Sequence, residues 1–110
     1  MKPYFQLALD IVTREEAKRL ALSLLDYIDI IEVGTPLILR YGLSIVAEIK
    51  NLVGKKKVFA DTKIVDAGSW ETEEALKSGA DMVSVLAGAS FFTLREAKEV
   101  CQSRGARLVV

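Results

Sequence analysis

Short apolar stretches and amphipathic stretches alternate along this chain at a nearly constant spacing, and few folds accommodate such a pattern. Strand-like sequence begins near residues 5, 29, 57, 81 and 107, which places one strand about every 24 to 28 residues. A helical stretch follows each of these strands except the last. Regular β–α alternation of this length predicts right-handed βαβ units that build a parallel sheet.

Capping signals and apolar periodicity place the helices between the strands. Thr13 with Glu16, and Thr93 with Glu96, each match the T-x-x-E capping box. Thr35 is followed by a proline, which favours a helix cap at Thr35. The predicted strands are residues 4–9, 29–33, 57–60, 81–86 and 107–110, and the predicted helices are residues 13–28, 35–52 with a break at Gly42, 68–78 and 93–104.

Two architectures fit this alternation within a single domain, residues 1–110. One is half of a (βα)8 TIM barrel, with four βα units and a fifth strand; a whole barrel takes ~250 residues. The other is an open, five-stranded parallel sheet of the flavodoxin-like type. The strands end in Asp10, Glu32, Asp61 and Ser84. Side chains at consecutive strand ends converge better around a barrel rim than along an open sheet edge, which favours the half-barrel.

Composition excludes several functional classes. The 15 basic and 15 acidic residues balance, so no basic field indicates nucleic-acid binding and no polybasic run indicates a membrane surface. The single cysteine, Cys101, cannot form an intrachain disulfide, and a lone thiol is typical of a cytoplasmic protein. The chain has no histidine, so acid–base chemistry would depend on Asp, Glu, Lys, Tyr or water.

The charged cluster after the third predicted strand is the strongest candidate for a functional site. Asp61, Lys63 and Asp66 follow a short apolar run. The carboxyl ends of parallel strands carry the chemistry of α/β barrels, and a lysine among carboxylates stays charged. A simpler interpretation is also open, in which Asp66 caps the next helix and Lys63 extends into solvent.

Four strand ends together resemble those of the 3-hexulose-6-phosphate synthases, which belong to the orotidine 5′-phosphate decarboxylase suprafamily. That suprafamily shares the signature Asp-x-Lys-x-x-Asp after its third strand, which Asp61, Lys63 and Asp66 match. The resemblance extends in register over essentially the whole chain, as the N-terminal half of a ribulose-phosphate-binding barrel. The segments that carry it are LALD at 7–10, IEVGTP at 31–36, ADTKIVDAG at 60–68 and GADMVSV at 79–85.

The resemblance implies a role for each matched residue. Asp10 and Glu32 would bind substrate, Asp10 through sugar hydroxyls, while Glu32 and Asp61 would bind Mg²⁺ directly or through water. Asp61, Lys63 and Asp66 would be catalytic, with Lys63 stabilising or protonating an enediolate that the metal also stabilises. The implied lyase reaction is the aldol addition of formaldehyde to ribulose 5-phosphate, and its reverse.

The resemblance also implies partners. In the suprafamily the residue that Asp66 matches reaches into the neighbouring subunit's site, so we expect a homodimer or a higher homo-oligomer. The substrate would be a small phosphorylated sugar. Later strands bind the phosphate in the suprafamily, so we expect residues 1–110 to carry the metal half of the site without the phosphate half, and to be a compromised enzyme alone.

Two alternatives stay open at this point. A decarboxylase of the same suprafamily, acting on 3-keto-L-gulonate 6-phosphate or orotidine 5′-phosphate, would use the same three charged residues. A non-catalytic half-barrel would instead self-associate through exposed sheet edges such as residues 108–110. We expect Trp70 and the pair Phe91 and Phe92 to serve packing or an interface rather than substrate contact.

Overall fold

The computed structural model of the protein describes residues 2–110 and consists of five strands and five helices. In chain order they are β1 (Gln6–Leu9), α1 (Arg14–Ser23), β2 (Ile30–Val33), α2 (Thr35–Tyr41), α3 (Ser44–Val53), β3 (Lys57–Ile64), α4 (Gly68–Lys77), β4 (Met82–Val85), α5 (Phe91–Arg104) and β5 (Arg107–Val109). Strands and helices alternate throughout, except that two helices separate β2 from β3. Within residues 2–110 no helix is long and apolar enough to span a bilayer.

The order of the strands decides between the two predicted architectures. All five strands are parallel and lie side by side in sequence order, from β1 to β5. A flavodoxin-like sheet has the order 2-1-3-4-5, so that alternative is wrong. Sequential parallel strands form the wall of a (βα)8 barrel, and the half-barrel prediction is confirmed.

The helices cover only one face of the sheet. Ile31 lies opposite Val58 in the β2–β3 register, and both are fully buried in the core. On the other face of β1, Gln6 and Ala8 are exposed, because side chains alternate along a strand. A doubly wound sheet would have helices on both faces. The main core consists of Leu9, Ala17, Ala21, Ile28, Ile31, Val33, Leu37, Ile45, Val46, Ile49, Val53, Val58, Ala60, Ala75, Ala80, Val83 and Cys101.

Helix starts follow the predicted signals at one of three positions. Thr13 and Glu16 form the complete capping box at α1, as predicted. The cap of α2 is Gly34 rather than Thr35, whose hydroxyl bonds elsewhere. The cap of α5 is Ser90, whose side chain accepts a hydrogen bond from the Thr93 backbone N–H, so the predicted box at Thr93 is wrong. Helix α5 therefore begins a turn earlier.

Helix ends follow the glycine and packing signals less closely. The break at Gly42 is confirmed, because Gly42 has a φ of 69° and separates α2 from α3. Helix α1 ends at Ser23, earlier than the predicted residue 28. Leu24 and Ile28 still pack on the core, from the turns that follow the helix. Their apolar spacing therefore indicates that they are buried and not that they are helical.

Strand β3 is longer than predicted, and this places the charged motif inside the sheet. The prediction ended the strand at Ala60, whereas β3 continues to Ile64. Its pairing with β4 is irregular there: Ala60 lies opposite Val83 and Ile64 opposite Val85, so three β3 residues face one β4 residue. A bulge of this kind bends a strand and redirects its side chains, and bulges are frequent beside functional sites.

Candidate functional site

The polar strand ends meet at the carboxyl edge of the sheet. Glu32, on β2, lies opposite Ala8 of β1 and Phe59 of β3. Asp61 lies two residues after Phe59, and therefore on the same face of the sheet. This is the inner face, which the helices do not cover. The structure thus brings together the strand ends that the sequence predicted to converge, Asp10, Glu32, Asp61 and Ser84. We call Asp10, Glu32, Asp61 and Lys63 the carboxyl-edge cluster.

Asp61 is the most buried member of the carboxyl-edge cluster. Its residue exposure is 9%, and both carboxylate oxygens have partners. Ser84 donates to Oδ1 at 2.7 Å, and Thr35 donates toward Oδ2 at 3.1 Å. The Lys63 ammonium pairs with Oδ2. The carboxylate is therefore held by Thr35 at the start of α2, by Ser84 of β4 and by Lys63 of its own strand.

The ionisation of Asp61 results from a competition between burial and hydrogen bonding. Burial disfavours the carboxylate and would raise the pKa of Asp61. The hydrogen bonds from Lys63 and from the two hydroxyl groups outweigh that effect, and the pKa of Asp61 is lowered. Asp61 is therefore a carboxylate near neutral pH.

Three contacts anchor Lys63, so its ammonium is not free in solvent as the simpler interpretation proposed, although the side chain is half exposed. Its ammonium pairs with Asp61 and donates to the Thr35 hydroxyl at 2.8 Å. Its backbone N–H donates to the Ser84 hydroxyl at 2.9 Å. The backbone of Lys63 has a φ of 50°, a left-handed conformation that is unfavourable for a lysine. The bulge in β3 and the Ser84 contact hold it there.

Glu32 sits beside like charges. Gln6 of β1 donates a hydrogen bond to one of its carboxylate oxygens. Burial raises the pKa of Glu32, and the nearby Asp61 and Asp10 carboxylates raise it further against the opposing effects of Gln6 and Lys63. Two carboxylates that raise the pKa of a third favour a cation beside Glu32.

Asp10 approaches the backbone of β2 so closely that only a glycine fits there. A Cβ atom at Gly34 would overlap the Asp10 Oδ1 oxygen and lie 2.9 Å from the Leu9 carbonyl oxygen. The Gly34 N–H also donates to that carbonyl at 2.8 Å. Gly34 thus makes room for the Asp10 carboxylate at the edge of the cluster.

Asp66 is not part of the carboxyl-edge cluster. The simpler interpretation, in which Asp66 caps α4, is wrong, because the cap is Ala67, which has a φ of 46° and gives no side-chain hydrogen bond. Asp66 is exposed, and within residues 2–110 its side chain makes no hydrogen bond. Burial raises the pKa of Glu71, and the charge of Asp66 raises it further. The helix cap therefore does not explain an aspartate at this position.

The donor set of the cluster fits a hydrated hard cation better than a fully protein-bound one. Among residues 2–110 no three His, Cys, Asp or Glu side chains are placed to enclose a metal ion. Mg²⁺ usually keeps several waters and takes one or two carboxylates. Glu32 and Asp61 supply two carboxylates within electrostatic range of each other. The donor chemistry of these two residues therefore fits a hydrated Mg²⁺.

Three residues of the site escaped the sequence analysis in whole or in part. Gln6 and Thr35 were not predicted to contact the cluster, and Ser84 was recognised only as a polar strand end. Gln6 is a polar residue on the exposed face of an otherwise apolar strand, which was the available signal. Thr35 gave no usable signal, because its contact depends on the register of β2 with β3.

The large aromatic residues lie outside the cluster and on the surface. Trp70, Phe91 and Phe92 are each at least two-thirds exposed. The two phenylalanine rings meet edge to face, with centroids 6.4 Å apart, and the Arg95 guanidinium lies over both. Packing into the core of residues 2–110 is therefore not their role, and an interface stays a prediction.

The fold and the cluster together define a class of protein. Sequential parallel strands, helices on one face and polar strand ends converging at the carboxyl edge characterise the wall of a (βα)8-barrel enzyme. The model of the orotidine 5′-phosphate decarboxylase / HUMPS family matches residues 3–110. The chain belongs to that family.

Individual relatives agree with this assignment. The 3-hexulose-6-phosphate synthase of Mycobacterium gastri is 43% identical over 105 residues, which are 96% of this chain and 51% of that protein. The crystal structure of 3-hexulose-6-phosphate synthase from Salmonella typhimurium matches with a TM-score of 0.95 and 37% identity, over 98% of this chain and 51% of that one.

A decarboxylase is similar in structure as well. The 3-keto-L-gulonate-6-phosphate decarboxylase from Vibrio cholerae O1 biovar El Tor matches with a TM-score of 0.94 and 30% identity, over 98% of this chain and 50% of that one. The chain spans about half the length of the curated relatives it matches.

Proposed function

We propose that the protein is a carbon–carbon lyase of the 3-hexulose-6-phosphate synthase type, which adds formaldehyde to ribulose 5-phosphate and catalyses the reverse reaction. The single observation that carries the proposal is the Asp61–Lys63 pair at the carboxyl end of β3, in a chain 43% identical to a synthase. The pair presents a fixed positive charge on the inner face of the sheet, beside the Glu32 and Asp10 carboxylates.

Each residue of the carboxyl-edge cluster has a separate role in the proposed reaction. Lys63 supplies a positive charge where negative charge develops on the sugar, and it can donate a proton to the same oxygens. Its position is fixed before the substrate binds, which is how enzymes stabilise transition-state charge most effectively. Asp10, held against Gly34, accepts hydrogen bonds from sugar hydroxyls. Asp61 keeps the ammonium in place.

Mg²⁺ is the proposed cofactor. Glu32 and Asp61 would hold it, directly or through water, because the raised pKa of Glu32, due to burial and then to neighbouring carboxylates, would be relieved by a cation. When bound, the ion would serve as a Lewis acid toward the substrate's enolic oxygens. Asp10 and Lys63 would orient the sugar beside the ion.

The proposed assembly is a homodimer. Asp66 stands exposed after β3, without a structural role as a helix cap, and would contact the site of the partner subunit. The exposed aromatic residues Trp70, Phe91 and Phe92 would be covered in such an assembly. We propose a cytoplasmic location, supported by the buried thiol of Cys101.

The proposal is tested by comparing two reactions of the full-length protein. Formaldehyde-dependent consumption of ribulose 5-phosphate, measured with Mg²⁺ and again after its removal by a chelator, is expected to be fast only with the metal. Decarboxylation of 3-keto-L-gulonate 6-phosphate is the second assay, because a decarboxylase has nearly the same structure. Decarboxylation with a larger kcat/KM than formaldehyde addition would overturn the synthase assignment in favour of the decarboxylase.

A further inference from the structure

We propose that Thr35 is a positioning residue, whose hydroxyl holds the Lys63 ammonium against Asp61. The proposal concerns a residue that the sequence had suggested as a helix cap. Its activity assay rests on the proposed function. Its structural test rests only on the geometry of the cluster.

Lys63 needs an anchor because of its length and exposure. Its side chain is 52% exposed, although it pairs with a carboxylate that is only 12% exposed. A lysine side chain loses rotamer entropy when it is fixed in one position. A single ion pair leaves the ammonium free to pivot around the carboxylate, whereas a second partner defines its position. Thr35 is that partner, at 2.8 Å.

The valence of the hydroxyl fixes its orientation. A threonine hydroxyl has one proton to donate and two lone pairs to accept with. The proton can point only to Asp61, since the carbonyl oxygen is 2.5 Å away and the carboxylate Oδ2 is 3.1 Å away. A lone pair therefore faces Lys63, and the hydroxyl links the backbone of Asp61 to the ammonium of the next charged residue.

The scaffold around Thr35 is rigid. Thr35 is the first residue of α2 and follows directly from β2 through Gly34, whose N–H is bonded to the Leu9 carbonyl oxygen. A β-branched side chain in a helix has few χ1 rotamers. The hydroxyl is thus a fixed point on the neighbouring strand connection, toward which the flexible lysine of β3 is drawn.

Among residues 2–110 the Thr35 hydroxyl contacts only Asp61 and Lys63. Helix α2 is capped by Gly34, without any side-chain hydrogen bond. An isosteric loss of the hydroxyl therefore removes the contacts with Asp61 and Lys63 and leaves the helix start intact. This makes Thr35→Val a direct test, with Thr35→Ser as the variant that restores the hydroxyl.

The control is Thr72→Val, the same substitution at a buried threonine of α4. The Thr72 hydroxyl is buried and has no hydrogen-bond partner among residues 2–110, so its removal should leave kcat unchanged. In the full-length protein, kcat of Thr35→Val is expected to fall about 10- to 100-fold, as for a misplaced catalytic group. KM for ribulose 5-phosphate should change less than about twofold, and Thr35→Ser should recover most of kcat.

A crystal structure of Thr35→Val gives a readout independent of activity. The Lys63 ammonium is expected to leave its position or to occupy several conformers. An unmoved ammonium, or a kcat equal to that of Thr72→Val, would overturn the proposal. Equal losses in Thr35→Val and Thr35→Ser would also overturn it. If Thr35→Val fails to fold, Thr35→Ala carries the same expectations.

The two proposals fail in different ways. A wild-type protein without formaldehyde-dependent turnover would refute the synthase function, and the crystal structure of the variant would still decide whether Thr35 places Lys63. Wild-type turnover together with an unaffected Thr35→Val would refute only the positioning role.

Discussion

Lys63 is the residue on which the contacts of the carboxyl edge converge. Its ammonium meets Asp61 and Thr35, and its backbone N–H meets Ser84 at 2.9 Å. A left-handed backbone costs a lysine on the order of 1–3 kcal/mol, so these partners offset a local strain. Strain of this kind persists where a side chain must point in one direction, which agrees with a catalytic role for Lys63.

Gly34 offers a test of the Asp10 position at the same scale. Gly34→Ala would place a methyl group on the Asp10 carboxylate, so we expect kcat/KM for ribulose 5-phosphate to fall about 10- to 100-fold. Steady-state kinetics measures this. Gly88→Ala is the matched control, because a Cβ there meets no atom within 4 Å. Equal kinetics in the two variants would show that Asp10 does not need its position.

The strands and helices show which features of the fold local sequence patterns can predict. The apolar core positions and the capping box at Thr13 follow local rules, and the structure has both. The extension of β3 through Asp61 and Lys63 does not, because charged residues oppose strand formation locally, and the contacts that stabilise them come from Ser84 of β4 and Thr35 of α2. The Thr35 contact likewise depends on a register between strands that no local pattern contains.

Asp81 fastens the opposite, amino-terminal end of the sheet. Its carboxylate accepts hydrogen bonds from the Lys50 ammonium at 2.7 Å and from the Val58 N–H at 2.8 Å. Burial would raise the pKa of Asp81, but these hydrogen bonds outweigh it and the pKa is lowered. The contact joins α3 to the starts of β3 and β4, at the end of the sheet opposite the carboxyl-edge cluster. We therefore expect it to contribute to stability.

The contribution of Asp81 to the free energy of unfolding should depend on pH. A lowered pKa in the fold means that the contribution is complete above the unfolded value of about 3.9 and is lost as the pH falls below it. Asp81→Asn should therefore lower the free energy of unfolding by about 1–3 kcal/mol at pH 7, and the difference should shrink below about pH 4. Urea unfolding at several pH values measures this, with the exposed Asp26→Asn as control. A difference independent of pH would contradict the account.

At the scale of the whole molecule, the fold is a barrel wall with one covered face. Within residues 2–110, β1 and β5 each pair on one side only, whereas every strand of a (βα)8 barrel has two neighbours. The polar strand ends predict this architecture, because they converge best when consecutive strands lie side by side around a barrel rim. What covers the inner face depends on long-range contacts that local patterns do not specify.

A mixed-subunit experiment tests the homodimer and the role of Asp66 together. Lys63→Ala and Asp66→Asn should each be nearly inactive as full-length proteins. If Asp66 acts in the partner subunit's site, about half of the dimers formed from equal amounts of the two variants contain one subunit of each, and one of the two sites in each mixed dimer is intact. About a quarter of wild-type activity then returns. Activity assays after unfolding and refolding the mixture measure this. No recovery, in a mixture that light scattering shows to be dimeric, would place Asp66 in its own subunit's site.

The most direct test of the central claim is the kcat of Lys63→Ala for formaldehyde addition to ribulose 5-phosphate. The control is Lys55→Ala, because Lys55 is an exposed lysine outside the cluster. We predict that kcat falls at least about 100-fold in Lys63→Ala and stays at the wild-type value in Lys55→Ala, while both variants remain folded. A folded Lys63→Ala variant with wild-type kcat would contradict the account.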